Sequence, residues 1–318
     1  MAMIEILGAT HAYELTPPKA SSSPVLVFIH GWLLSRNYWQ PLIDRLDDDF
    51  QCLVYDLRGF GDSQSPTDKP PKTESASRAT TSGGAGAKDN AALTSADVDA
   101  TRLSASNYSL AAYARDLGIL LEKLDIDNAW LIGHSLGGSI ALWGASVASE
   151  RVKGVICLNA GGGIYLKEEF ERFRNVGKQL VKRRPQWLCY LPLIDVLFTR
   201  AQVARPLARR WGRQRVIDFV VAHPEAALRS LLDSTTEAEV HRLPQMISQL
   251  QQPVYFLAGA NDRVMAPKYV RHLASFHKLF QNGGANVIEI PNCGHLAMVE
   301  QPDIVDTQIR RILAESVS

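Results

Sequence analysis

Cysteine is scarce in this chain: Cys52, Cys157, Cys189 and Cys293 are spread over 318 residues, and no two form a Cys-x-x-Cys pair. That spacing speaks against a disulfide framework and against a zinc site, and it fits a reducing compartment. Charge of one sign is missing too. The formal net charge is +1, so overall electrostatics give no reason to expect nucleic acid as a partner. No run reaches the ~18–20 continuous apolar residues of a membrane-spanning helix. The stretch from Met1 to Thr16 has no basic segment leading into an apolar core, so no signal peptide is expected and a cytoplasmic protein is. Phosphate-binding loops are absent, as are clusters of His, Cys and carboxylates at metal spacing. No cofactor and no metal are therefore expected. What is present is an ordinary globular composition, 46% hydrophobic and 21% charged, long enough for one large α/β domain or two small ones.

Along the chain, residues 3–16 read as two short strands of an edge hairpin. Val25-Leu26-Val27-Phe28-Ile29 is an unbroken β-branched and aromatic run that suits a strand buried on both faces, and it ends in His30-Gly31-Trp32. Ser35 is placed to cap a helix reaching about Leu46. A strand at 51–57 then leads into Arg58-Gly59-Phe60-Gly61-Asp62-Ser63. Strand, helix and strand in alternation predict a parallel sheet. From 65 to 106 the pattern collapses into Ser, Thr, Ala, Gly and charged residues, too little apolar surface to offset the entropy of ordering it. A mobile insertion is expected there. Ser109 caps the next helix, whose apolar residues Leu110, Tyr113, Leu117, Leu120, Leu121 and Leu124 recur at helical spacing. After a strand at 152–160 the alternation stops: 164–250 reads as helical throughout, before strands near 253–259 and 286–290 and helices near 267–280 and 304–314. An all-helical segment between two strands of one sheet predicts a lid over the strand ends where such sheets bind ligands. The domains are therefore 1–163 with 251–318 as the α/β core, and 164–250 as the lid.

The densest chemical signal is Ala129-Trp130-Leu131-Ile132-Gly133-His134-Ser135-Leu136-Gly137-Gly138. A buried strand arrives at Gly133, one serine stands between glycines, and a helix leaves. Glycines at 133 and 137 permit a turn too tight for side chains, which lifts the Ser135 hydroxyl beside the first free N–H groups of the helix. Gly-x-Ser-x-Gly alone arises by chance in long chains; its strand and helix context raises it above that. A serine hydroxyl needs a base, and the base a group to orient it. His295, in Asn292-Cys293-Gly294-His295 after the last strand, is the candidate base. Asp262, in Gly259-Ala260-Asn261-Asp262, is the candidate acid, though Asp after Gly is also a common turn residue. His30 reads as structural. His134 adjoins the serine, with its side chain turned from the hydroxyl by the sharp turn. Solvated or structural roles are the default for His11, His223, His241, His272 and His277.

Taken together, His30-Gly31, Asp56-Leu57-Arg58-Gly59-Phe60-Gly61-Asp62-Ser63, Gly133-His134-Ser135-Leu136-Gly137-Gly138, Asp262 and Gly294-His295 resemble the α/β-hydrolase family over about 20–160 and 250–315. The order Ser, Asp, His is the one this fold uses. The resemblance implies a mostly parallel twisted sheet flanked by helices. It also implies Ser135 as nucleophile, His295 as general base and acid, and Asp262 as the residue holding the imidazole tautomer. The backbone N–H groups of Trp32 and Leu136 would form the oxyanion hole. Serine at the elbow disfavours epoxide hydrolase and haloalkane dehalogenase chemistry, for which relatives carry Asp. His30-Gly31-Trp32-Leu33-Leu34 is similar to the same stretch in some aryl esterases and perhydrolases.

The substrate is expected to meet Trp32, His134 and the lid residues Trp187, Leu191 and Phe198, from an apolar run followed by Arg200, Arg205, Arg209, Arg210, Arg213 and Arg215. That arrangement suggests a greasy acyl pocket or peripheral contact with an anionic membrane. The plainer alternative packs the apolar side on the sheet and leaves the arginines solvated. The expected function is a serine hydrolase cleaving a carboxylic ester with a hydrophobic acyl or alcohol part through an acyl-enzyme. The expected substrate is a small apolar ester, and a greasy pocket would favour longer chains. A thioesterase, a C–C bond hydrolase or a perhydrolase would use the same residues. A small-molecule receptor that keeps the triad is the reading from another class.

Overall fold

The run Val25–Ile29 forms a central strand of an eight-stranded sheet, and strict alternation sends its side chains to two different cores. Leu26 and Phe28 enter one buried cluster, Val27 and Ile29 the other. A computed structural model describes residues 1–19, 23–64, 106–162, 167–283 and 286–317. The expected insertion at 65–106 lies outside the described residues, apart from Ser106. The strands are β1 (Ala2–Ile6), β2 (Ala9–Leu15), β3 (Val25–Ile29), β4 (Cys52–Tyr55), β5 (Ala129–His134), β6 (Val152–Leu158), β7 (Val254–Gly259) and β8 (Val287–Ile290), in the spatial order β1-β2-β4-β3-β5-β6-β7-β8. The first two form an antiparallel hairpin on the edge, β2 pairs antiparallel with β4, and every later pair is parallel. The chain leaves β3 for β4 on one side and reaches β5 on the other. The carboxyl ends of β3 and β5 therefore flank the point where strand order reverses, the place where open α/β sheets leave a crevice.

The helices are α1 (Gln40–Leu46), α2 (Leu110–Lys123), α3 (Leu136–Val147), α4 (Lys167–Lys182), α5 (Ile194–Phe198), α6 (Arg209–Val221), α7 (Pro224–Ser234), α8 (Glu237–Gln249), α9 (Pro267–Ala274), α10 (Lys278–Gln281), α11 (Ala297–Glu300) and α12 (Pro302–Val317). Apolar faces of α1 and α12 cover the Leu26/Phe28 side of the sheet, while α2, α3 and α9 cover the Val27/Ile29 side. Ser109 caps α2 by accepting the Ala112 N–H at 3.2 Å. Ser35 does not cap with its side chain: it precedes a 3₁₀ turn, Arg36–Trp39, and its hydroxyl donates instead to Asp218 Oδ2 on α6 at 3.1 Å. The helix expected at 267–280 is two helices, because the buried His277 side chain accepts the Leu279 N–H at 3.2 Å and starts a new one. Between β6 and β7 run α4 to α8 and a 3₁₀ turn, Gln186–Tyr190. No helix among the described residues is long and apolar enough to cross a membrane.

Candidate active site

At the end of β5 the backbone turns with no room for side chains. A Cβ on Gly133 would lie 2.2 Å from the Gly137 carbonyl oxygen, and one on Gly137 would lie 2.2 Å from the Ile29 carbonyl oxygen of the neighbouring strand. Ser135 sits at the apex with φ +52° and ψ −117°, a conformation that costs a non-glycine residue about 1–3 kcal/mol. Its neighbours over-determine it: the Ser135 N–H donates to the Leu158 carbonyl at 3.0 Å, and its carbonyl accepts the Gly138 N–H at 3.0 Å. The strain exposes the hydroxyl at the N-terminus of α3.

The loop after β8 brings His295 to that hydroxyl, with Nε2 3.1 Å from Ser135 Oγ. On the far side of the ring, Nδ1 donates to Asp262 Oδ2 at 2.7 Å; a carboxylate can only accept, which sets the tautomer and leaves Nε2 as the acceptor facing the serine. Asp262 stands just after β7 and uses both oxygens. Its Oδ1 accepts the N–H groups of Val264 at 2.8 Å and Met265 at 3.0 Å, so the turn role and the acid role coexist in one side chain. Burial opposes the Asp262 charge, but attraction to His295 and the hydrogen bonds from His295, Met265 and Val264 outweigh it and hold the carboxyl below its ordinary range. The three sequence-predicted residues Ser135, Asp262 and His295 therefore meet in one hydrogen-bonded chain.

Three further groups hold that chain in place. Asn159, at the end of β6 with φ +50°, donates its amide to Asp262 Oδ2 at 2.9 Å and to the Gly294 carbonyl at 3.0 Å. Glu300 on α11 straddles His295: its carboxylate accepts the N–H groups of Gly294 at 2.9 Å and Leu296 at 3.0 Å, and also that of Ala204 at 2.8 Å. His134 turns away from Oγ and donates Nε2–H to the His295 carbonyl at 2.7 Å; burial, aided by His295, pushes its pKa down to about 3 and keeps it neutral. Neither Asn159 nor Glu300 belongs to a motif or a spacing pattern that would mark it in advance.

His30 has a supporting place: it donates from Nδ1 to its neighbour's carbonyl at 2.8 Å and accepts the Leu57 N–H on Nε2 at 3.0 Å, joining the loops that follow β3 and β4. Asp56 strengthens the same junction by pairing with Arg36 and accepting the Arg36 and Asp62 N–H groups.

Ser135 opens into a cavity of about 140 Å³. Trp32 and Leu136 both line it, and neither backbone N–H finds an acceptor among the described residues. Leu34, Val264, Met265 and Leu296 of the core and Phe173 and Leu231 of the helical stretch give it apolar walls. His134 lines it as expected. Trp187, Leu191 and Phe198 do not: Trp187 and Leu191 point to solvent, and Phe198 packs on Phe219 and Arg215 instead. The reason is that the short elements carrying these three lie along α6, away from Phe173, Leu231 and Thr235, which roof the cavity from α4 and α7 and the turn after it. Among the described residues, no cluster of His, Cys and carboxylates is arranged to hold a metal ion.

A family model described as the alpha/beta hydrolase fold matches residues 24–189. A bifunctional esterase/perhydrolase from Acinetobacter calcoaceticus is 24% identical over 255 residues, 76% of this chain and 76% of that one. A 2-succinyl-6-hydroxy-2,4-cyclohexadiene-1-carboxylate synthase from Serratia proteamaculans is 24% identical over 303 residues, 91% of this chain and 93% of its own. Among solved structures, a thermophilic esterase from Thermogutta terrifontis superimposes over 100% of both chains, with a TM-score of 0.69 at 22% identity. At such identities the structural likeness is one of fold.

Proposed function

This chain belongs to the α/β-hydrolase fold family, and we propose that it is a serine hydrolase that cleaves a compact, apolar carboxylic ester through an acyl-enzyme. The observation that carries this reading is the chain Ser135 Oγ, His295 Nε2, His295 Nδ1, Asp262 Oδ2, at 3.1 and 2.7 Å, with the hydroxyl facing an apolar cavity. In the first half-reaction Oγ attacks the ester carbonyl carbon while its proton passes to His295 Nε2. Asp262, kept ionised by its donors, stabilises the imidazolium. The oxyanion that forms lies between the N–H groups of Leu136 and Trp32, and loss of one such donor costs roughly 10²–10³ in rate. Collapse expels the alkoxide, which takes the proton from Nε2, and leaves the acyl group on Oγ. Water then repeats the sequence, with His295 as its base, and frees the acid.

The helical stretch 167–249 acts in this reading as a lid, since Phe173, Leu231, Ser234 and Thr235 reach over the serine from it. The cavity size sets the substrate. About 140 Å³ is close to an engineered apolar cavity of about 150 Å³ that holds benzene. A short acyl chain or a single ring fills it; palmitate does not.

The test is hydrolysis of p-nitrophenyl esters from acetate to palmitate, wild type beside Ser135→Ala. Turnover that peaks at short acyl chains and falls roughly 10³–10⁶-fold in the variant supports the reading. Equal rates in the two proteins remove Ser135 from the mechanism. A preference for palmitate keeps the serine and rejects the compact pocket.

A further inference from the structure

Two of the residues expected to grip substrate, Trp187 and Leu191, face outward, and so do apolar neighbours in the chain. Tyr190 is 86% exposed, Leu193 66%, Leu197 65% and Trp187 59%, all within one turn–bend–helix stretch of the chain. Large apolar side chains grouped like this on a surface mark a contact site. Along the chain that carries them, the charge is one-sided. From Lys178 to Ile217 the chain carries ten Lys and Arg residues against one carboxylate, Asp195, in a protein whose net charge is only +1. Asp195 is already paired with Arg209 at 2.5 Å, and Arg215 is buried on the carbonyls of Phe198 and Ala201. Arg200, Arg205, Arg210 and Arg213 are exposed and have no carboxylate partner among the described residues.

We propose that this face docks on an anionic lipid surface, with the apolar tips of 187–197 entering the interface and the four arginines meeting lipid phosphates. Two features favour a bilayer over a protein partner. A side chain as free as Tyr190 stands clear of its neighbours, and a fluid interface accepts it without a preformed socket. Trp and Tyr beside aliphatic tips are the composition that settles at the headgroup boundary. Neither apolar tips nor arginines alone bind stably; the two together supply the pair of signals that peripheral anchoring requires. Docking does not depend on the hydrolase reading. Its consequence for that reading is one of place: the segment after α5 donates Ala204 N–H to Glu300 and accepts His295 N–H on the Gln202 carbonyl at 2.8 Å, so the docked face lies next to the loop that carries His295.

Flotation of the full chain with vesicles tests the proposal, using phosphatidylcholine alone or with roughly one phosphatidylglycerol in three. The chain floats with the anionic vesicles and not with the neutral ones, and salt at about 0.5 M releases it. Two double variants, Tyr190→Ser with Leu197→Ser and Arg205→Glu with Arg213→Glu, each weaken partition by about tenfold or more while melting as the wild type does. Absence of flotation, equal flotation with neutral vesicles, or unchanged partition in either variant overturns it. So does a dimer in sedimentation that the Tyr190/Leu197 variant abolishes without flotation, which makes the face a subunit contact. Equal binding of polyglutamate, insensitive to the Tyr190/Leu197 variant, makes it a polyanion patch.

Discussion

Asn159 Nδ2 lies 2.9 Å from Asp262 Oδ2, on the same carboxylate oxygen that receives His295 Nδ1–H at 2.7 Å. Two donors therefore share one acceptor at the far end of the hydrogen-bonded chain, and a third contact, from the same amide to the Gly294 carbonyl, ties the aspartate to the histidine loop. Replacing Asn159 with Leu removes a hydrogen bond to a charged group, worth about 10–100-fold when lost. The expected result is a kcat reduced by that factor, because Asp262 and the loop carrying His295 lose the amide that ties them together. An Asn159→Leu enzyme with unchanged kcat contradicts this role.

Glu300 does for the histidine backbone what Asn159 does for the acid. Its carboxylate accepts N–H groups on both sides of His295, and Glu300→Ala leaves these donors without their acceptor. The expected result is a kcat reduced about tenfold or more together with a lower Tm. Glu300→Gln restores part of the loss, because its carbonyl oxygen still accepts one of the N–H groups. Full activity in Glu300→Ala would show that the loop keeps its shape unaided.

Asp218 gives the protein a pH-dependent stability. Burial pushes its pKa up to about 7, against the Gln214 and Ser35 hydrogen bonds that favour the charged form. A group whose folded pKa exceeds its unfolded value contributes stability below the unfolded pKa, and that stability is lost as pH rises through the folded one. Between about pH 4 and pH 7 the Asp218 contribution therefore declines, by an amount on the order of a few kcal/mol. Asp218→Asn, which cannot ionise, flattens this window: its Tm exceeds that of the wild type at pH 8 and approaches it near pH 4. Parallel melting curves for the two proteins across that range rule the effect out.

Leu231 presses on the cavity from α7 and is buried. Leu231→Ala enlarges the pocket at a stability cost of roughly 2–5 kcal/mol. The ratio of octanoate to acetate hydrolysis should rise several-fold, measured on the folded fraction. An unchanged ratio places the acyl group elsewhere.

Much of this was legible in the sequence because the signals are local. Strand runs such as Val25–Ile29, the glycine-flanked serine and the order Ser135, Asp262, His295 declare themselves within a few residues each. Asn159 and Glu300 act through contacts across 103 and 6 residues and leave no periodic trace, so only the fold reveals them. Trp187, Leu191 and Phe198 were misplaced for a different reason. An apolar run predicts that something covers it, but not whether the cover is the protein's own cavity or another surface. Ser35 shows the same limit: a hydroxyl before a helix has the chemistry of a cap, and here it serves a partner 183 residues away.

The most direct test of the account asks where a serine-directed electrophile attaches. The wild-type chain is treated with a fluorophosphonate, digested, and its peptides mapped by mass. One adduct on Ser135 is predicted, absent in Ser135→Ala and formed much more slowly in His295→Ala. No adduct, an adduct on another residue, or labelling at an undiminished rate in His295→Ala contradicts the claim that Ser135 is a nucleophile activated by His295.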